Sequence, residues 1–257
     1  MAHLDAASNT ESLWVGTNDW IPLALKGEEA KPYHQSMLSS VDVAPILDVL
    51  DRIQAEFPGV DIWTVEGQMT NAFLYDTIWR SNNDEIKPGV DGIVLIFSDT
   101  KARLVFKFPW WEKYFEPVLQ PIFDQVFAAY LGGTAGTGDN CRSRYMKMQL
   151  AKVKGNGASE VGMHYDNAMY AGKGHRIHFP LVTNPGVSFN VTKARLPLRL
   201  EEGEVFEVDN LVVHGVRNDG DEDRIHLIVD ILDKPVDDYY QLKPGQSCEN
   251  PTTLCPN

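Results

Sequence analysis

The residues whose types and spacing could do chemistry lie in the second half of the chain. His164 and Asp166 stand two apart in MHYDNA, His214 follows fifty residues after His164, and Arg224 follows ten after that. In an extended strand residues i and i+2 share a face, so the first pair presents an imidazole and a carboxylate side by side. Two histidines and one carboxylate on one side of a metal are the ligand set of non-haem iron(II) oxygenases. Three protein ligands leave three coordination positions for a bidentate cosubstrate and dioxygen. An H-x-D pair by itself occurs often by chance, and a lone histidine is more often a hydrogen-bonded core or surface residue. The information lies in the spacing of the whole set.

Arg224 suits a further task. A cosubstrate such as 2-oxoglutarate chelates iron through its keto oxygen and C1 carboxylate, which leaves its C5 carboxylate deeper in the protein. A guanidinium meets such a carboxylate with two parallel hydrogen bonds. The competing reading of Arg224 is a surface ion pair with Asp221, Glu222 or Asp223. Arg176 and His178 in HRIHFP repeat the i, i+2 pattern, as do Arg224 and His226, while Ile225, Leu227, Val229 and Ile231 face the other way. Buried charge without partners is costly, so an interior collecting these groups must bind something charged. His226 shares the face of Arg224 and is expected to make a supporting hydrogen bond rather than to act directly. His175 points away from Arg176 and is expected in solvent, as are His3 and His34. Asn167, Tyr170 and Lys173 follow the H-x-D pair as a loop open to substrate.

These side chains must be held by β structure. From residue 141 onward short runs alternate with turn signals: YMKMQLAKV, HRIHFPLV, VSFNVT, LPLRL, VFEV, LVVHGV and RIHLIVDIL, with Gly, Asn and Asp at the joints. Strands at this spacing indicate a barrel or sandwich. Ahead of them, residues 41–57 carry Val43, Ile46, Leu47, Leu50, Ile53 and Phe57 at helical spacing, and residues 116–131 read as a second amphipathic helix. Between the helices, 92–99 and 102–108 predict a hairpin. The aromatic run FPWWEKYF at 108–115 either caps a barrel mouth or packs between helix and hairpin. The expected fold is mainly β with flanking helices. The expected divisions are a helix and hairpin portion (1–140) packing on the barrel, a catalytic barrel (141–235) and a tail (236–257). The link GGTAGTGDN at 132–140 marks the first division.

Bulk properties narrow the partners. Hydrophobic residues make up 43% of the 257, enough for a real core, and the formal net charge is −13. No Lys/Arg run is present, which disfavours a nucleic-acid substrate, since phosphate neutralisation needs clustered positive charge. No apolar run approaches the ~20 residues that span a bilayer. The first residues lack a signal-peptide core, so a soluble, cytoplasmic setting without membrane partners is expected. Three cysteines, Cys141, Cys248 and Cys255, argue against a disulfide framework, although the last two could pair in an oxidising environment.

Residues 141–232 resemble the aspartyl/asparaginyl β-hydroxylase family, a branch of the double-stranded β-helix oxygenases. The family pattern of H-x-(D or G), R-x-H and a distal His with Arg ten residues on appears as His164-Tyr165-Asp166, Arg176-Ile177-His178, His214 and Arg224. The resemblance implies a double-stranded β-helix (a jelly-roll, cupin-like barrel) in the C-terminal half. It also implies Fe(II), 2-oxoglutarate and O2 as cofactor and cosubstrates, with succinate and CO2 leaving beside a hydroxylated product. His164, Asp166 and His214 would hold iron, and Arg224, Arg176 and His178 would line the cosubstrate pocket. Asp166 stands where animal members acting on epidermal-growth-factor-like domains have glycine, and in this the chain is more similar to bacterial free-proline hydroxylases. The expected substrate is therefore a small molecule, such as an amino acid, or a peptide side chain. Two alternatives stay open: the same cofactors with a desaturation or epoxidation outcome, and a non-catalytic cupin-like metal- or ligand-binding protein.

Overall fold

A computed structural model describes residues 34–38, 40–69, 89–98, 104–131, 143–157, 159–166, 171, 174–192, 194, 196–236, 239–246 and 252–253. In chain order these form β1 (His34–Leu38), α1 (Ala44–Glu56), α2 (Val65–Met69), β2 (Val90–Ser98) and β3 (Val105–Lys107). A π-helical turn (Trp111–Phe115) leads into α3 (Glu116–Leu131). Then come β4 (Ser143–Val153), β5 (Ser159–His164), β6 (Gly174–Val182), β7 (Val187–Val191), β8 (Val205–Val208), β9 (His214–Asn218), β10 (Arg224–Val236), β11 (Tyr239–Gln241) and β12 (Thr252–Thr253). The segments 132–140, 167–170 and 172–173, the three cysteines and His3 lie outside the described residues, as do the side-chain surroundings of His34.

From β4 to β10 successive strands alternate between two sheets. The larger runs β1-β8-β6-β10-β4-β2-β3-β11-β12 and the smaller β5-β9-β7. That alternation is a double-stranded β-helix, as expected, and β10 is its central staple, pairing antiparallel with both β4 and β6. The N-terminal hairpin extends the same sheet through β2 on β4, and β11 joins parallel to β3.

Two faces of the large sheet follow from the period of two. On one face Leu227, Val229 and Ile231 of β10 are fully buried with Ile177 and Phe179 of β6. α1 covers this face with Ile46, Val49, Leu50 and Ile53, a 3.6-residue stripe, and just ahead of it Asp42 Oδ1 accepts from the Ala44 amide at 3.0 Å. α3 adds Phe123 and Phe127, whose rings pack on Tyr145 and Phe179 at 5.3–6.3 Å. The run at 108–115 packs here as well. Trp110, Trp111 and Phe115 are buried, and Trp110 Nε1 donates to the Val94 carbonyl at 2.5 Å. Phe123→Ala leaves a ring-sized hole in this cluster and should cost about 3–5 kcal/mol, read as a lowered urea midpoint at unchanged slope.

The other face of the large sheet meets the small sheet around Phe189, Val191, Phe206, Val208 and Val216. This inner space receives Arg224, His226 and Asp230 of β10 together with Arg176 and His178 of β6.

Three local expectations change. LPLRL forms no strand. Pro197 lacks an amide donor, and only Leu198 bridges to Phe189, leaving Leu196 77% exposed. LVVHGV becomes strand only from His214, which opens β9. His175 does point away from Arg176, but that face lies against the helical layer, so it is not in solvent. Its Nδ1 lies 2.5 Å from Oε1 of the fully buried Glu207.

Candidate active site

β5 and β9 bring two histidines together directly. His164 and His214 are register partners, with a bulge between Val161 and His164, and their ring centroids are 4.6 Å apart. A bulge re-aims the strand end beyond it. Gly215 permits the approach, since a Cβ there would lie 2.8 Å from the Val161 carbonyl oxygen. Each ring is oriented in the same way. Nδ1 of His164 meets the Gly162 carbonyl, and Nδ1 of His214 meets the Val212 carbonyl, both at 2.8 Å. A carbonyl only accepts, so both Nδ1 atoms carry the proton and both Nε2 atoms keep a lone pair, the form that ligates a metal. Burial lowers the His214 pKa, outweighing the opposing pull of the Val212 carbonyl, so the neutral ring is favoured.

Asp166 lies two residues past the end of β5, and its amide donates to the Asn210 carbonyl at 3.1 Å. Its Oδ2 accepts from Arg176 Nη1 and, at 3.0 Å, from Asn210 Nδ2. Its Oδ1 stands 4.0 Å from His164 Nε2. Burial pushes this carboxyl upward, but Arg176, His214, Asn210 and Lys147 together outweigh it and hold it below the usual aspartate value. The donor set of two imidazoles, each with Nδ1 turned to a backbone carbonyl, and one ionised carboxylate fits a divalent iron. Among the described residues no three such side chains are already drawn tightly around one point, and Asp166 leans towards Arg176 and Asn210.

From this pair a line of rings leads inward. Phe189 stacks on His214 at 5.6 Å, His178 meets Phe189 edge-on at 5.8 Å, and His178 and His226 are 5.6 Å apart. At its end Arg224 is 2% exposed and His226 is 1% exposed, in a recess also bordered by Thr183, Leu198 and Leu200. Arg224 Nη2 donates to His226 Nδ1 at 2.7 Å. An arginine cannot accept, so His226 carries its proton on Nε2. Arg224 Nε, His226 Nε2 and His178 Nε2 are buried without a hydrogen-bond partner. Burial alone pulls the Arg224 pKa down to about 9, and burial pushes both imidazoles well below the ordinary histidine value. A buried cation beside an unpaired N–H is the environment an anionic ligand would complete. Arg224 is thus not on the surface with Asp221, Glu222 or Asp223.

Arg176 is held elsewhere. Its Nε and Nη2 each reach one oxygen of Asp230 at 2.7 Å, while Nη1 reaches Asp166. Three residues beyond the expected set therefore touch the site: Asp230 and Asn210 by hydrogen bond, and Lys147 as the cross-strand partner of Asp230. Asp230 was legible in principle, since it continues the alternation of Arg224 and His226. Asn210 lies in a turn whose Asp-Asn pair signals only a joint.

Residues 138–234 match the family described as aspartyl/asparaginyl beta-hydroxylase. Comparison with curated proteins found no match. Among solved structures, the chain is similar to a 2OG-Fe(II) oxygenase family oxidoreductase from Burkholderia pseudomallei, at 13% identity and TM-score 0.45, covering 78% of this chain and 95% of that one. It is also similar to the non-heme monooxygenase ThoJ in a nickel complex, at 11% identity and TM-score 0.46, covering 87% and 80%. A third likeness, at 10% identity and TM-score 0.39, is to the viral collagen prolyl hydroxylase of Paramecium Bursaria Chlorella virus-1, covering 78% and 95%. Among the described residues no helix is long and apolar enough to cross a membrane.

Proposed function

Taking residues 138–234 as an aspartyl/asparaginyl β-hydroxylase segment, and so the chain as an Fe(II)- and 2-oxoglutarate-dependent oxygenase, we propose that His164, Asp166 and His214 hold the iron and that Arg224 holds the cosubstrate. The reading rests above all on Arg224, a buried cation with an unpaired Nε, joined by Phe189, His178 and His226 to the facing imidazoles of His164 and His214. When bound, iron and 2-oxoglutarate would supply the oxidising power that hydroxylates an unactivated C–H bond, with succinate and CO2 as co-products. The chain's own contribution is placement. The carbonyls of Gly162 and Val212 keep both Nε2 atoms available, and Arg176 and Asn210 hold Asp166 ionised. Arg224 would meet the C5 carboxylate in a recess lined by apolar Phe189, Leu198 and Leu200 and by polar Thr183, Asn184 and Glu201, with His178 packed against His226. Arg176 borders the same space while tied to Asp166 and Asp230.

The substrate proposed is a small molecule, such as an amino acid, or a peptide side chain, in a cytoplasmic setting. Residues 1–140 are proposed to support the barrel, which the pairing of β2 with β4 favours. The test is succinate release from 2-oxoglutarate, screened with amino acids and peptides. Substrate-stimulated succinate supports the oxygenase reading. Tight metal and 2-oxoglutarate binding without any succinate would instead support a non-catalytic barrel.

His226 supplies a second donor in this arrangement. Its forced tautomer presents Nε2–H, and hydrogen bonds to charged groups contribute about 1.5–3 kcal/mol. His226→Asn should therefore weaken 2-oxoglutarate binding by about tenfold or more, at unchanged metal affinity, in an anaerobic titration.

A further inference from the structure

We infer that Asp230 and Asn210 are positioning residues for the iron-binding carboxylate: Asp230, acting through Arg176, and Asn210 directly lock Oδ2 of Asp166 and leave Oδ1 alone to face the metal. This rests on the assignment of Asp166 as a ligand and says how the chain selects one of its two oxygens.

Asp230 and Arg176 are register partners on β10 and β6, so the sheet sets their separation. Both oxygens of Asp230 engage Arg176, one on Nε and one on Nη2, each at 2.7 Å. This two-pronged grip fixes the plane of the guanidinium, and only the Nη1 edge remains to reach Asp166. Asp230 is 4% exposed, so solvent does not compete effectively for that grip. Lys147 is the register partner of Asp230 on the neighbouring strand β4. Asn210 closes the arrangement from the other wall. Its backbone carbonyl accepts from the Asp166 amide, and its side chain donates to Oδ2, so one loop residue sets both the height and the rotation of Asp166.

The consequence is a defined division of the carboxylate. With two donors on Oδ2, that oxygen has little capacity left for a cation, whereas Oδ1 faces His164 Nε2 at 4.0 Å. Groups that orient metal ligands from behind typically change metal affinity by 10–100-fold when removed.

The test uses the full chain, stripped of metal and titrated anaerobically with Co(II), reading affinity and the visible d–d spectrum. Asp230→Asn should weaken Co(II) binding by about tenfold or more and alter the spectrum, and Asn210→Ala should do so to a smaller degree. A double-mutant cycle separates positioning from general destabilisation. In an Asp166→Ala background Asp230→Asn should cause no further loss of affinity, because its route to the metal is gone. If Asp230→Asn folds poorly, Asn210→Ala, which leaves the Asp230–Arg176 pair intact, decides the matter through the same cycle. Wild-type Co(II) affinity and spectrum in folded Asp230→Asn and Asn210→Ala, or equal losses with and without Asp166, would overturn the inference. Should His164→Ala and His214→Ala also bind Co(II) like wild type, the fault lies instead with the ligand assignment beneath it.

Discussion

His164→Ala and His214→Ala are each expected to lose Fe(II) binding, and with it succinate release, by more than the roughly 10–100-fold typical of residues behind the ligands. The argument starts from the tautomer. Both rings donate Nδ1–H to a backbone carbonyl two residues earlier in the chain, at 2.8 Å, so neither needs a metal to choose its orientation. The cost of ordering the ligands is therefore met during folding, and each side chain removed subtracts a prepared donor. The fold should survive, because the barrel is closed by the hydrophobic clusters on either side of the large sheet and not by these two rings. The check is Fe(II) or Co(II) titration beside a urea melt. Full metal affinity with one ring deleted would refute the assignment. A collapsed melt would show that the imidazole pair is structural.

Arg224→Ala should weaken 2-oxoglutarate by roughly thirty-fold or more while sparing the metal. Removing one partner of a buried, hydrogen-bonded charge pair costs about 2–5 kcal/mol, and each ~1.4 kcal/mol is tenfold in affinity. At 2% exposure, with burial already pulling its pKa to about 9, the guanidinium is poorly solvated before any anion arrives, so an incoming carboxylate gains more from it than from a surface arginine. Arg224→Lys should recover only part of the loss, since an ammonium cannot offer two parallel donors. The measurement is the metal-to-ligand charge-transfer band of the anaerobic complex, titrated with 2-oxoglutarate and separately with metal. Unchanged 2-oxoglutarate affinity would remove Arg224 from the cosubstrate site.

The sequence by itself determined the alternation and the residue types. Period two in β10 placed Leu227, Val229 and Ile231 on one face and Arg224 and His226 on the other, and the structure keeps that division. Helical spacing placed Ile46, Leu50 and Ile53 of α1 on one stripe, all of them buried. The H-x-D pair, the distal histidine and the arginine ten residues on were legible because a local pattern survives in one dimension. What lies across strands did not. Whether the second face of β6 meets water or helices is not written in β6, and so His175 was expected in solvent but lies against Glu207. The register of β6 on β10 decided that Arg176 would grip Asp230, and the loop ahead of β9 decided that Asn210 would meet Asp166. These are pairings between residues 54 and 44 positions apart. Only the closing of the two sheets sets such distances, because the alternation within a strand fixes the face a side chain uses but not the neighbour it finds there.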